Sequence, residues 1–75
     1  MKLAIDEEAD ALHLELVAVP VVDSEEVAPG VIVDYDEAGQ VVGVEILHLS
    51  KRPQPVNLMD FQFHTTPKKP ASAAA

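Results

Sequence analysis

The stretch "VIVDYDEAGQVVGVEIL", residues 31–47, decides the fold. Two runs rich in valine and isoleucine are separated by a short polar segment that contains Gly39. β-Branched side chains favour extended backbone, and a short connection that contains glycine is typical of a β-hairpin. The stretch therefore predicts two adjacent antiparallel strands, and it contains no helix signal.

The turn of this hairpin is predicted to span residues 37–39, with Asp36 ending one strand and Gln40 beginning the next. A type I turn followed by a left-handed residue forms such a loop with a G1 bulge. Glycine suits that last position because it carries no Cβ, which gives Gly39 a structural role. Gly30, just before the hairpin, is predicted as a second turn residue.

Counting back from this loop places Tyr35 opposite Val41 and Asp34 opposite Val42. Because side chains alternate between the faces of a sheet, Asp34 and Glu45 are then expected on opposite faces. Branched apolar residues are expected on both faces of the hairpin. One face would pack on the rest of the chain, and the other would be covered by a later aromatic segment or by a second copy of the protein. A homodimer is the preferred explanation.

The spacing within this stretch also resembles a calcium-binding EF-hand loop. Asp34, Asp36, Gly39 and Glu45 occupy the first, third, sixth and twelfth positions of such a loop. The interpretation is rejected because Ala38 stands at the fifth position, because no amphipathic helices flank the loop, and because the first and twelfth ligands are expected on opposite faces. No metal site is predicted.

Residues 11–17, "ALHLELV", fit two structures. Their leucines alternate with His13 and Glu15, which favours a half-buried strand. The same residues fit helical spacing, since Ala, Leu and Glu favour helix and Asp6 is placed as an N-cap. The residues alone leave strand and helix open.

The remaining apolar runs complete an all-β prediction. Residues 2–5 form a short run, and residues 21–27 are predicted as an irregular edge strand that charges and a proline protect from aggregation. Residues 59–64 alternate and are interpreted either as a final strand or as a segment lying over the sheet. The predicted fold is a small antiparallel β-meander of about five strands, or α+β if a short helical turn forms near "HLSKR".

Composition divides the 75 residues into three parts. Residues 1–52 are predicted to form one compact β domain. Prolines then become frequent, and residues 53–66 are predicted as an extension that packs on the sheet or on a partner. Residues 67–75 lack apolar periodicity and are predicted to be a disordered tail.

The chain has no cysteine, which excludes disulfides and thiolate metal sites and fits a reducing, cytoplasmic setting. No apolar run approaches the roughly 20 residues that a membrane-spanning helix needs, so no membrane association is expected. A domain of this size has a thin stability margin, which small proteins often recover by self-association.

The charge is unevenly distributed. Residues 1–50 hold twelve acids and one base, so their net charge is 1 − 12 = −11, whereas residues 51–75 carry 4 − 1 = +3. An acidic body repels phosphate backbones and attracts basic proteins, so a basic partner protein is expected and nucleic-acid binding by the domain is not. The candidate interaction residues are Asp23, Glu25, Glu26, Asp34, Glu37, Phe61 and Phe63.

No catalytic or cofactor-binding residue is predicted. Ser24 and Ser50 lack the glycine pattern of a nucleophile elbow, and the three glycines are scattered singly. The leading hypothesis is a non-enzymatic, self-associating protein-interaction module, in its sharpest form an antitoxin-like partner of a basic protein. The alternative is a small enzyme or a ligand- or metal-binding protein that uses His13, Glu15 and nearby carboxylates.

Three segments resemble one known family: "DEEADALHLEL", "SEEVAPGVIVDYDEAGQVVGVEIL" and "SKR". The chain is similar to the small prokaryotic proteins grouped as domain of unknown function 2283. The matching positions are Asp6, Glu8, Ala9, Asp10, Ala11, Leu12, Gly30, Val31, Asp34, Tyr35, Asp36, Gly39, Val42, Gly43, Glu45 and Leu47.

The resemblance covers residues 3–52 and implies a compact β-rich domain, which favours a strand for residues 11–17. It implies no established activity, although an association with small toxin-like proteins suggests a partner-binding role. The sequence departs from the family pattern at His13, where a large residue such as Tyr is usual, and at Ile5, where Tyr is frequent. The extension from residue 53 also has no counterpart in the pattern.

Overall fold

The computed structural model describes residues 1–68, which contain five β-strands and one 3-10 turn. The elements are β1 (Lys2–Asp6), β2 (Ala11–Glu15), β3 (Asp23–Ala28), β4 (Val31–Tyr35), β5 (Val41–Ile46) and the 3-10 turn η1 (Leu49–Lys51). The predicted all-β class, the five antiparallel strands and the helical turn are confirmed. Residues 11–15 are strand, which settles the choice that the sequence left open.

All five strands belong to one antiparallel sheet with the order β1-β2-β5-β4-β3. β1 and β2 form a hairpin, and β3, β4 and β5 form a meander. The two units join through the pairing of β2 with β5. Residues 16–22 therefore connect β2, next to one edge of the sheet, with β3 at the opposite edge. β1 and β3 are the two edge strands.

The hairpin register differs from the sequence-based expectation by one residue. Tyr35 pairs with Val41 as expected, but Asp34 pairs with Gly43, so Val42 is an extra residue that forms a bulge. Val42 is only 4% exposed, and its carbonyl accepts a 2.8 Å hydrogen bond from the Leu16 amide. The bulge therefore buries a valine and extends the pairing with the end of β2.

This register gives the sheet one apolar and one polar face. Directly paired residues share a face, and each of four strands contributes two side chains to the apolar one. The apolar face comprises Leu3, Ile5, Leu12, Leu14, Val31, Val33, Val44 and Ile46. The polar face includes Lys2, His13, Glu15, Ser24, Glu26, Ile32, Asp34, Gly43 and Glu45. The sequence predicted branched apolar residues on both faces of the hairpin; most of them share the apolar face, and Ile32 lies on the polar one.

A buried core is nearly missing from the described part of the chain. Only three hydrophobic residues, Ala11, Val42 and Leu49, are buried. None of the eight apolar-face residues reaches that level, and Ile5 is 38% exposed. The described residues thus form a single-layered sheet whose apolar side has no second layer packed on it.

The 3-10 turn is attached to the β1–β2 turn through Asp10. The Asp10 carbonyl accepts a hydrogen bond from the Leu49 amide, and its carboxylate accepts bonds from the Ser50 amide and the Ser50 hydroxyl, the last at 2.7 Å. The Ser50 hydroxyl is the main reason that the pKa of Asp10 lies below its ordinary value. Both Asp10 and His48 have φ of 56°, so each end of this connection uses a left-handed residue.

After η1 the described chain contains no helix or strand. Phe61 and Phe63 are 64% and 67% exposed, so residues 59–64 form neither the final strand nor a cover for the sheet. Of the predicted disordered tail, residues 69–75 lie outside the described part of the chain.

Candidate interaction surfaces

The centre of the polar face is organised around Gly43. Gly43 faces Asp34 on β4 and Glu15 on β2. A Cβ at this position would lie 3.0 Å from Asp34 Oδ2 and 3.2 Å from His13 Nε2. Because Gly43 has no side chain, His13 and Asp34 approach each other across β5, with Nε2 and Oδ2 3.4 Å apart.

Asp34 connects three strands through its two carboxylate oxygens. Oδ1 accepts a 2.6 Å hydrogen bond from the Ser24 hydroxyl on β3, and Oδ2 faces His13 on β2. The carboxylate therefore lies between the hydroxyl and the imidazole. A catalytic serine would instead donate its proton to the histidine, so this arrangement orients the three groups without activating Ser24.

His13 and Glu15 share the polar face, as the alternation of residues 11–17 predicted. The carboxylate in contact with His13 is nevertheless that of Asp34, and the strand neighbour of His13 is Glu45. Neither partner was predicted, because the pairing of β2 with β5 was not foreseen and the expected register placed Asp34 and Glu45 on opposite faces. The prediction that Asp34 and Glu45 lie on opposite faces was wrong, since both lie on the polar face.

The surroundings of His13 form a shallow, open depression of about 280 Å³. Small side chains, those of Ala4, Ala9 and Ala11, line it beside His13 and Glu45. His13 itself has 43% of its side chain exposed. Residues 1–68 contain no group of three or more His, Asp or Glu side chains arranged to hold a metal ion.

The edge strand β3 carries three exposed carboxylates, which we call the acidic edge: Asp23, Glu25 and Glu26. Each has one local donor. Asp23 accepts a bond from the Ser24 amide, Glu25 accepts the Tyr35 hydroxyl at 3.4 Å, and Glu26 accepts the Gly30 amide at 3.2 Å. Because all six β3 residues are exposed, most of the carboxylate capacity remains available to a cationic surface.

Tyr35 marks the border between the acidic edge and the apolar face. Its ring lies on the apolar side of the sheet, since Tyr35 pairs with Asp23 and its hydroxyl reaches Glu25. Loss of solvent around the phenol, followed by the nearby Glu25 and Asp23 charges, raises its pKa above the ordinary value. Tyr35 is the only tyrosine, and the chain has no tryptophan, so tyrosine fluorescence reports on this border alone.

The turn residues hold the hairpin through backbone geometry and one carboxylate. Gly39 has φ of +80° and Gly30 has φ of +74°, both in the left-handed region that favours glycine. Asp36 Oδ1 accepts hydrogen bonds from the Ala38 and Gln40 amides, at 3.0 and 2.9 Å. Asp36 is therefore occupied as a turn acceptor.

The seven candidate interaction residues do not form one surface. Asp23, Glu25 and Glu26 lie together on β3, while Asp34 lies inside the polar face with 14% of its side chain exposed. Glu37 lies at the hairpin tip, and the two phenylalanines lie in the C-terminal segment. The continuous apolar face was not predicted, although alternation in residues 11–17 identified two of its eight side chains, Leu12 and Leu14.

The described residues include no helix with the length and apolarity required to cross a membrane. A family model described as "Protein of unknown function (DUF2283)" matches residues 2–50 of the chain. No curated protein and no solved structure matches the chain.

Proposed function

The chain belongs to this family of proteins of unknown function, and we propose that it is a non-enzymatic protein-interaction module that self-associates. The observation that supports this proposal is the apolar face of a single-layered sheet. Eight aliphatic side chains from four strands form one surface, and none of them is buried. A contiguous apolar surface of this kind is typical of a protein-binding site, because burying it is favourable by about 25 cal/mol per Å².

The sharper form of the proposal is an antitoxin-like module that binds a basic protein through the acidic edge. Asp23 and Glu25 are exposed on one side of an edge strand and Glu26 on the other, in a chain whose net charge is −8. Such a cluster accelerates and orients association with a cationic surface, and salt screens the attraction. The absence of cysteine fits a reducing cytoplasmic setting for this function.

The test of the basic partner is affinity capture from an extract of the protein's own cells. We expect a basic protein to be retained at ~50 mM salt and released at ~500 mM, where the screening length falls to a few ångströms. The control is the chain with Asp23→Asn, Glu25→Gln and Glu26→Gln, which keeps the shape of the edge and removes its charge. Binding through the acidic edge would be refuted if the partner stayed bound at high salt. It would also be refuted if the neutralised chain retained as much of the partner as the wild type.

The enzyme alternative has one supporting observation, the His13–Asp34 contact beside an open depression. It is the weaker candidate, because a substrate site usually encloses its ligand with convergent polar groups. A screen of hydrolytic substrates with His13→Ala as the comparison tests it. Turnover that disappears in this variant would favour the enzyme over the interaction module.

A further inference from the structure

The apolar face needs a cover, and we infer that the cover is the apolar face of a second copy, so that two sheets stack face to face. This inference rests on the self-association proposed above and identifies its surface. Two antiparallel sheets packed in this way lie about 10 Å apart, with their side chains interdigitated as a shared core. The dimer would thereby supply the second layer that each chain lacks.

The rest of the described chain does not supply this layer. Phe61 and Phe63, the largest apolar side chains after η1, remain exposed. Leu58 and Met59 line a depression with Ile5 at the outer side of β1, the edge of the sheet, and Met59 is 89% exposed. The six residues of the apolar face on β2, β4 and β5 are half-buried, and none reaches the burial of a packed core.

The chemistry of the face favours a copy of itself over a charged partner. All eight of its side chains are aliphatic, so a charged surface placed on it would lose hydration without gaining an ion pair. An equally apolar, extended surface is therefore required, and each chain carries one. Small domains with little buried core commonly obtain stability by association of this type.

Charge selects one of the two ways in which the sheets can stack with two-fold symmetry. Asp23 and Glu25 project along the apolar side of the β3 edge. The opposite edge, β1, presents Leu3 and Ile5 on this side, whereas the side chain of Lys2 lies on the polar face. An axis parallel to the strands places β3 of one copy over β1 of the other, whereas an axis across the strands would place the two acidic edges together. Like-charge repulsion excludes the second arrangement.

The first experiment compares Val33→Lys with Ile32→Lys by sedimentation equilibrium over a range of concentrations. The two positions are neighbours on β4, but Val33 lies on the apolar face and Ile32 lies on the polar face opposite Glu26 and Glu45. We expect the wild type and Ile32→Lys to give about 16 kDa, twice the 8.1 kDa of one chain. Val33→Lys should raise the dimer Kd by at least ~30-fold.

The stacking direction is tested by reversing the charge of Glu25. With the axis parallel to the strands, the acidic edges of the two copies lie at opposite sides of the dimer, so Glu25→Lys should leave the dimer Kd within about 3-fold of the wild type. A much tighter dimer in this variant would show that the two acidic edges repel each other in the wild type and would overturn the parallel axis.

Tyr35 provides a measurement that needs no substitution at the interface. Its fluorescence should change with protein concentration along the same curve as the mass, because its ring borders the apolar face. If circular dichroism shows that Val33→Lys does not fold, the wild-type Tyr35 curve decides whether the apolar face is the interface. A dimer that leaves the Tyr35 signal unchanged would refute the face-to-face interface while self-association stands. A folded chain of about 8 kDa at every concentration would refute both.

Discussion

At the scale of single residues, Gly43 has the most specific role in the sheet. It lies in the interior of β5, where a glycine ordinarily costs about 0.5–1 kcal/mol relative to alanine. The cost is offset by the space that Gly43 leaves for the His13–Asp34 contact. The backbone of Gly43 adopts a conformation that other residues also adopt. The glycine is therefore needed for the close approach of its neighbours and not for a turn.

Gly43→Ala should destabilise the protein, because the added Cβ meets Asp34, His13 and the Leu14 carbonyl within 3.3 Å. Crowding of this kind costs roughly 1–3 kcal/mol, and the gain in strand propensity offsets about 0.5–1 kcal/mol of it. Urea denaturation should thus show a net loss of up to about 2.5 kcal/mol in the free energy of unfolding, with a central value of roughly 1 kcal/mol.

The matched experiment repeats Gly43→Ala in a chain that carries Asp34→Ala. Removing the carboxylate removes the nearest of the three contacts, so the alanine should cost less there than in the wild type. An alanine at position 43 that stabilises the wild type would contradict the role assigned to this glycine.

At the scale of elements, strand identity was readable from the sequence, whereas register and strand order were not. Alternation and β-branched content located the β4–β5 hairpin and its glycine turn. The bulge in β5, however, uses Val42, a residue type that gives no sign of a bulge. The pairing of β2 with β5 brings together residues 28 to 34 positions apart, and local patterns do not encode such pairings. Because neither the bulge nor the pairing of β2 with β5 was predicted, the contact between Asp34 and His13 was not predicted either.

The contact between Asp10 and Ser50 predicts how η1 responds to pH. The pKa of Asp10 is lowered in the folded chain, so the carboxylate contributes stability above the ordinary aspartate value near 4. That contribution should be lost as the pH falls through the folded-state pKa. Thermal melts from pH 6 to about pH 2 should therefore show a smaller acid-dependent drop for Asp10→Asn than for the wild type.

Asp60→Asn is the control for this pH experiment, because Asp60 is exposed in the C-terminal segment and its carboxylate bonds no element of the sheet. It should keep the acid dependence of the wild type. An identical pH profile for all three chains would show that the Asp10–Ser50 contact does not contribute to stability.

At the scale of the whole molecule, we expect the sheet to be independent of the residues that follow Arg52. Those described residues form no helix or strand and leave both phenylalanines exposed. A chain ending at Arg52 should keep the circular-dichroism spectrum and stay within ~0.5 kcal/mol of the full-length stability, the usual range for changes at the surface.

The matched comparison is the full chain with Phe61→Ser and Phe63→Ser. If the segment contributes only to partner binding, both chains should fold alike and differ from the wild type in capture experiments alone. A large loss of stability in either chain would show that the segment packs on the sheet.

The single-layered sheet has a consequence for the amount of this protein in a cell. If the second layer comes from another copy, the folded fraction rises with concentration by mass action. Newly made chains at low abundance would expose the apolar face to proteases, whereas chains above the dimer Kd would be protected. The lifetime of the protein would then increase with its own abundance, so that a modest change in synthesis rate produces a sharper change in the level of folded protein.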